Sequence, residues 1–345
     1  MNTKSKRLLQ TLLVFCYSLF LQFNAFALMD GMSTFDVQGP VAREQLHVFW
    51  WTLAIVVFLT LTVGGVFFYT LIRFRSKPGE EDSVPEQSHG NANVEIALII
   101  ASCILLLVIA VPNAKALFLM EAPPKEEGEP IKVVAIGHQW WWEFQYPDLG
   151  ITTANELHIP AGRPVDFDLK SADVLHSFWV PKLAGKMDVV PGQINKIWFK
   201  ADKADKFYGQ CTEFCGDSHA NMRFLVYSHE QADFDQWVRD QKKDGVKPES
   251  PDQVNGQQIF MKGCNSCHAV KGTGAMGVVG PDLTHFGSRE TLGSAIYDNT
   301  DENLAKWIRD PKGMKPGNLM NLEQVNMVLS DRDVNALVAY LKSLK

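Results

Sequence analysis

Residues 209–222 read GQCTEFCGDSHANM. Cys211 and Cys215 stand four residues apart, His219 follows four later and Met222 three after that. Three chemistries compete for two thiols, an imidazole and a thioether in so short a span. A disulfide needs an oxidising compartment and would leave His219 and Met222 without a task. Zinc accepts thiolates and imidazole but has little use for a thioether. Copper takes all three donor types, with methionine as a weak ligand, in electron-transfer sites on β-sandwiches. Single-copper sites of that kind use one cysteine, whereas two cysteines can bridge two ions. A dinuclear site then needs a second histidine, and His176 in SADVLHSFWVP supplies one, 35 residues before Cys211.

The surroundings of this stretch fit such a scaffold. From Ile131 to His229 the chain runs through IKVVAIG, WWWEFQY, ELHIP, RPVDFDLKS, NKIWFKA and RFLVYSH, with turns at Pro160-Ala161-Gly162 and Pro191-Gly192. Short β-rich runs at this spacing predict an all-β sandwich, assigned to 121–235.

Upstream, Lys4, Lys6 and Arg7 precede an uncharged run from Leu8 to Met29 that contains Ala25-Phe26-Ala27. That pattern predicts a signal peptide over 1–27, although the run is also long enough for an uncleaved membrane helix. Two further runs lack Asp, Glu, Lys and Arg: Gln45 to Ile72, 28 residues, and Ile96 to Ala114, 19 residues. Each can cross a hydrocarbon core of about 30 Å. A transmembrane hairpin is therefore expected over 28–120, with helices at about 46–72 and 94–116. Arg73, Arg75 and Lys77 place the connecting loop in the cytoplasm, and hence the remaining chain on the outer face of a bacterial inner membrane, among its lipids. The net charge of −6 gives no basis for nucleic-acid binding.

Downstream, 236–252 predicts a linker; its stretch DQKKDGVKPESPD at 240–252 is polar and holds two prolines. The remainder, 253–345, predicts an all-α domain with helices around GQQIFMKG, ENLAKWIRD and DRDVNALVAYLKSL. It carries CNSCH at 264–268. C-x-x-C alone suits a redox dithiol or half a zinc site. With the adjacent histidine it is the attachment pattern of covalent haem: Cys264 and Cys267 form thioethers and His268 reaches the iron.

Together, His176, Cys211, Cys215, His219 and Met222, the hairpin and the sandwich resemble subunit II of the haem-copper cytochrome c oxidases. CNSCH, the Gly280-Pro281-Asp282-Leu283 loop and the final amphipathic helix resemble a class I cytochrome c, so the chain looks like the fused form of that subunit. The resemblance implies a cupredoxin-like domain whose dinuclear CuA centre is ligated by those five side chains and the backbone carbonyl of Glu213. It implies that the Glu213 side chain reaches a Mg2+ ion shared with the catalytic subunit. Trp140, in GHQWWWEFQYPD at 137–148, would lie near the surface over the copper as the entry point for electrons. Glu95, in NANVEIALII, would stand at the mouth of a proton pathway, although Ile99 and Ile100 follow where the family usually has a tryptophan. The sixth haem ligand would be Met320 of KPGNLM, with Met314 the alternative, since Asn321 replaces the usual proline.

The function so implied is electron input to a terminal oxidase. Electrons from the c-type haem, from an external cytochrome c or from another respiratory complex would pass through CuA to catalytic subunit I. That subunit, with the other oxidase subunits, would reduce O2 to water and pump protons. The rival reading is a copper-delivery or assembly factor, which needs accessible cysteines but no covalent haem. The linker adds an expectation of its own: 13 flexible residues span about 20 Å, holding the tail near the sandwich at millimolar effective concentration. On that reading the two modules meet by diffusion on a tether.

Overall fold

The computed structural model describes residues 30–75, 89–322 and 325–345. The expected signal peptide and Lys77 lie outside the described residues. The described chain forms two compact units, one spanning Arg43–Glu121 and the other holding the rest.

The first unit is a pair of long helices, α1 (Pro40–Arg73) and α2 (Ala92–Glu121). Their apolar windows have mean hydropathies of 2.3 and 3.0, and both are long and apolar enough to cross a membrane. Both exceed the uncharged runs. A proline, which needs no intrahelical donor, opens α1, and Arg43 and Glu44 lie in the turn added before the uncharged run. The Asn91 side chain accepts from the backbone of Asn93 and Val94 and caps α2. Thr52, Thr60, Thr62 and Ser102 each donate to the carbonyl one turn back, which satisfies hydroxyls on otherwise apolar helices. Gln45 Nε2 lies 3.2 Å from Met120 Sδ and ties the two helices together.

The second unit begins with a sandwich. Ten strands, β1 (Ile131–His138), β2 (Trp141–Tyr146), β3 (Ile151–Ala154), β4 (Glu156–Pro160), β5 (Val165–Ser171), β6 (His176–Trp179), β7 (Met187–Val189), β8 (Asn195–Phe199), β9 (Asp205–Cys211) and β10 (Arg223–His229), form two five-stranded sheets. One sheet runs β3-β2-β1-β5-β8 and the other β4-β10-β9-β6-β7. Alternate residues of β1 and β2 point inward, the period of a half-buried strand. Between the sheets, Trp142, Phe144, Phe167, Phe178, Phe199 and Phe224 are almost fully buried, with Phe178 4.7 Å from Phe224 and 5.4 Å from Trp142 between ring centres. Burying each such ring contributes about 1.5–3 kcal/mol, so this cluster anchors the module.

The segment expected to be a flexible spacer is not free. Helix α3 (Gln231–Gln241) takes up its first third. Phe234 is buried, and Trp237 stacks on His158 at 4.6 Å, so two aromatics one turn apart fasten the helix to the sandwich. Beyond it, Gly245 N–H donates to the Lys271 carbonyl, Lys271 Nζ to the Lys242 carbonyl, and a His285 ring nitrogen lies 3.2 Å from the Gln241 carbonyl. Polar composition suggested a loose chain, but the main-chain groups of Gln241, Lys242 and Gly245 bond to the tail.

The tail packs α4 (Pro251–Phe260), α5 (Asp301–Arg309), the short α6 (Pro311–Met314) and α7 (Asp331–Ser343) around two small hairpins. Ser250 and Ser330 form capping boxes at the starts of α4 and α7. Val334, Leu337, Val338 and Leu341 are all buried, the face that their spacing predicts. Helices α4 and α7 cross where Gly256 meets the Ala336 carbonyl, and Phe260 packs edge-on to Tyr340 at 5.7 Å. A side chain at Gly256 would collide with that backbone.

Candidate functional site

Neighbouring strands bring the donor residues together. His176 opens β6, Cys211 closes β9 and Met222 immediately precedes β10; β9 lies between β6 and β10 in its sheet. The pairing of Phe178 with Cys211 closes the 35-residue gap between His176 and Cys211. The loop from 212 to 221 then folds back over the strand ends, and its short 3-10 turn at His219–Asn221 presents His219.

The donor atoms converge. Cys211 Sγ and Cys215 Sγ are 3.8 Å apart, far from the roughly 2.05 Å of a disulfide, and both cysteines are free. Cys211 Sγ lies 3.9 Å from His176 Nδ1 and 3.3 Å from the Glu213 carbonyl oxygen. Cys215 Sγ lies 3.6 Å from His219 Nδ1 and 3.8 Å from Met222 Sδ. His176, Cys211 and Cys215 are buried and their ligand atoms lie within 4.8 Å of one another, while Met222 is wholly buried beside them. Two thiols at the centre, an imidazole on each side, a thioether and a carbonyl form a donor set suited to soft copper and not to a hard cation. The hydrogen bond from Cys215 is the main influence drawing the Cys211 thiol below its usual range, aided by His176; the same contact and burial push Cys215 up.

A carboxylate that the sequence reading passed over steadies this arrangement. Asp173 Oδ1 lies 2.7 Å from His176 Nε2, leaving Nδ1 toward the thiols. Asp173 also accepts from the backbone N–H of Val174 and Gln139. Burial works against ionisation of His176, but its contacts with Asp173 and Cys211 outweigh that and raise its basicity. An orienting carboxylate on the second nitrogen is the usual partner of a ligating histidine. An acid three residues before His176 was the available signal, but on a turn such spacing has no fixed geometry.

Trp140 is not at the surface as expected: it is 8% exposed. Its indole N–H donates to the Cys215 carbonyl at 2.9 Å, joined there by Gln139 Nε2 at 2.8 Å. The tail covers its other side, with Ser294 Oγ and Lys315 Nζ both donating to the Trp140 carbonyl. Gly317, in the left-handed region at φ 73°, passes so close that an added Cβ would lie 2.7 Å from the indole.

Beyond Trp140 opens a cavity whose wall includes Cys264, Cys267, His268 and Met320 as well as Trp140 itself. Cys264 and Cys267 are free; Cys264 opens the 3-10 turn Cys264–Ser266 and Cys267 caps its end. The His268 Nδ1 is 2.8 Å from the Pro281 carbonyl, which directs Nε2 elsewhere. Gly280 lies flat against that ring, where a Cβ would come 2.5 Å from Cε1. These features suit covalent haem with an axial histidine and methionine. Met320 belongs to the cavity wall, whereas the Met314 carbonyl accepts from the Tyr297 hydroxyl at the base of α6. Glu95 is exposed in the first turn of α2, in the other compact unit.

Comparison with known proteins agrees with this division of the chain. Three family models match: cytochrome c oxidase subunit II, transmembrane domain, at residues 27–115; cytochrome c oxidase subunit II, periplasmic domain, at 150–229; and cytochrome c at 253–345. Cytochrome c oxidase subunit 2 of Alkalihalophilus pseudofirmus is 38% identical over 320 residues, covering 92% of each chain. The protein of the same name from Bacillus sp. PS3 is 37% identical over 330 residues, covering 91% of this chain and 92% of that one. Among solved structures, the periplasmic domain of cytochrome oxidase subunit II from Bradyrhizobium japonicum is 34% identical, covers 32% of this chain and 93% of that one, and has a TM-score of 0.32. With its apolar helix pair, its β-sandwich and its helical C-terminal module, the chain belongs to the cytochrome c oxidase subunit II family, in the form that carries a cytochrome c domain.

Proposed function

We propose that this electron-input subunit of a haem-copper oxidase takes up electrons at its C-terminal module and delivers them at the Cys211–Cys215 site to a separate catalytic subunit, which reduces O2 to water and pumps protons. The observation that carries this reading is the position of Trp140. Its indole is bonded to the Cys215 carbonyl, and the same residue lines the cavity that holds Cys264, Cys267 and His268.

When bound, a copper pair and a covalent haem supply reversible one-electron carriers. Cys211, Cys215, His176, His219, Met222 and the Glu213 carbonyl would hold the copper pair. The sandwich core holds these donors in place, and Asp173 fixes the His176 tautomer. Cys264 and Cys267 would attach the haem, and His268 and Met320 would hold its iron. The Glu213 carboxylate as a Mg2+ ligand and Glu95 as a proton-pathway residue extend the same reading, as do an external cytochrome c or respiratory complex as donor. So does a two-pass topology that puts both modules on the outer face of a bacterial plasma membrane.

Optical and EPR spectra of the purified full-length chain test the proposal. A mixed-valence dinuclear copper signal together with a c-type haem band is expected. Zinc at the cysteine site with no such signal would overturn it.

A further inference from the structure

Lys315 is 4% exposed, a rare position for a lysine, and it lies in the loop that leads to Met320. Its ammonium group has a full set of acceptors: the Trp140 carbonyl at 2.6 Å, Ser294 Oγ at 2.8 Å and the Gly293 carbonyl at 3.1 Å. Ser294, 2% exposed, donates in turn to the same Trp140 carbonyl at 2.9 Å. Trp140 is therefore gripped at both ends, by the Cys215 carbonyl on the copper side and by Lys315 on the haem side. Two further contacts cross the same boundary. Ser218, beside His219, donates to the Pro316 carbonyl at 2.5 Å. At another place on the boundary, the buried Glu156 carboxylate accepts from the Thr291 N–H at 2.8 Å and the Thr291 hydroxyl at 2.7 Å.

A buried ammonium is retained only where its partners offset a desolvation cost of several kcal/mol. Here two of the three partners belong to the tail and the third is the main chain of Trp140, so the compensation is complete only while the modules touch.

We infer that Lys315 is a positioning residue that clamps Trp140 against the haem-side loop, so that the docked arrangement of the two modules is their resting state. This rests on the proposed function, whose electron route it makes specific. Lys315 lines the tail cavity and lies within electrostatic range of Cys215, but its hydrogen bonds go to Trp140, Ser294 and Gly293. It acts through Trp140, setting how closely that ring is held to the Gly317 turn.

The test uses the full-length chain with its copper and haem, and three readouts: backbone hydrogen exchange at 139–142 and 293–295, the intramolecular haem-to-copper electron-transfer rate, and the reduction potential of each centre. Lys315→Met should speed exchange at both segments by roughly tenfold or more, as expected for losing a hydrogen-bonded buried charge. It should slow electron transfer by more than any accompanying change in the two potentials accounts for. Ser294→Ala, which keeps the lysine, should act in the same direction more weakly and guards against a misfolded Lys315 variant. Glu156→Gln should raise exchange near Thr291 without changing the transfer rate. Faster exchange with an unchanged transfer rate would make Lys315 a structural pin and overturn its positioning role, as would a slowing in Lys315→Met that the change in driving force between the two centres fully explains. Unchanged exchange in both Lys315→Met and Ser294→Ala would overturn the clamp itself. If the wild-type chain shows no transfer between the centres, the functional reading fails, while the exchange data still decide whether Lys315 holds the modules together.

Discussion

The two sites are built in opposite ways. At the cysteine pair, small donors converge from two adjacent strands and the loop that follows, with His176 and Met222 separated by 46 residues and both buried. At the tail cavity, Cys264, Cys267 and His268 sit on one turn, and the fold around them supplies walls: Gly280 against the imidazole and Met320 from a distant loop. A cluster of point donors requires strand register, because sub-ångström errors spoil ligation. A large planar group requires a local attachment motif and a shaped cavity. The first kind of site is rigid because the sheet is; the second owes its shape to helix packing around it.

The largest expected effects separate the two designs. Cys211→Ser or Cys215→Ser should abolish the dinuclear copper signal in EPR while the haem band persists; a signal surviving in both variants would remove the bridge. Gly256→Val should act on the tail alone. The added side chain meets the Ala336 carbonyl where α4 crosses α7, and overpacking of this kind costs about 1–3 kcal/mol. Thermal unfolding followed in the haem band should drop, with the copper spectrum unaltered in the folded protein. Met320→Ala should lower the haem reduction potential and remove the sulfur-to-iron absorption, whereas Met314→Ala should do neither; the opposite result would move the axial ligand by six residues. Ser218→Ala removes one hydrogen bond between the two loops and should cost about 1 kcal/mol of docking, seen as faster hydrogen exchange at 317–318. The smallest effect is the one that a tether would have made large. Cutting the chain within 246–249 should leave haem-to-copper transfer first order and nearly as fast, because the modules are joined by Lys315, Glu156 and Ser218. A switch to second-order kinetics would restore the tether.

The same contrast explains what could be read in advance. CNSCH is a chemical pattern within five residues, legible without any fold. The cysteine-pair donors were legible as a set, but the strands that carry them were not: β6 is four residues long and buried on both faces, so it shows no alternation, and β9 runs through Gly209, packed under Phe224. Asp173 was missed because an acid in a turn gains its role only when the turn is folded. Lys315 was missed because a lysine in a polar loop is ordinarily solvated, and only the docked sandwich removes its water.

By itself the sequence determined the apolar helix pair, the β-sandwich followed by a helical module, the thiols and imidazoles available for metal chemistry, and the haem attachment motif. These depend on hydrophobic period, length and residue type, which are local quantities. Only the tertiary structure decided that Asp173 orients His176, that Trp140 is buried between the modules, and that the stretch read as a spacer is packed against its neighbours. Apart from the Asp173–His176 contact, which needs a folded turn, those features are hydrogen bonds between groups far apart in the chain. Their strength depends on burial, and burial exists only once the two modules have come together.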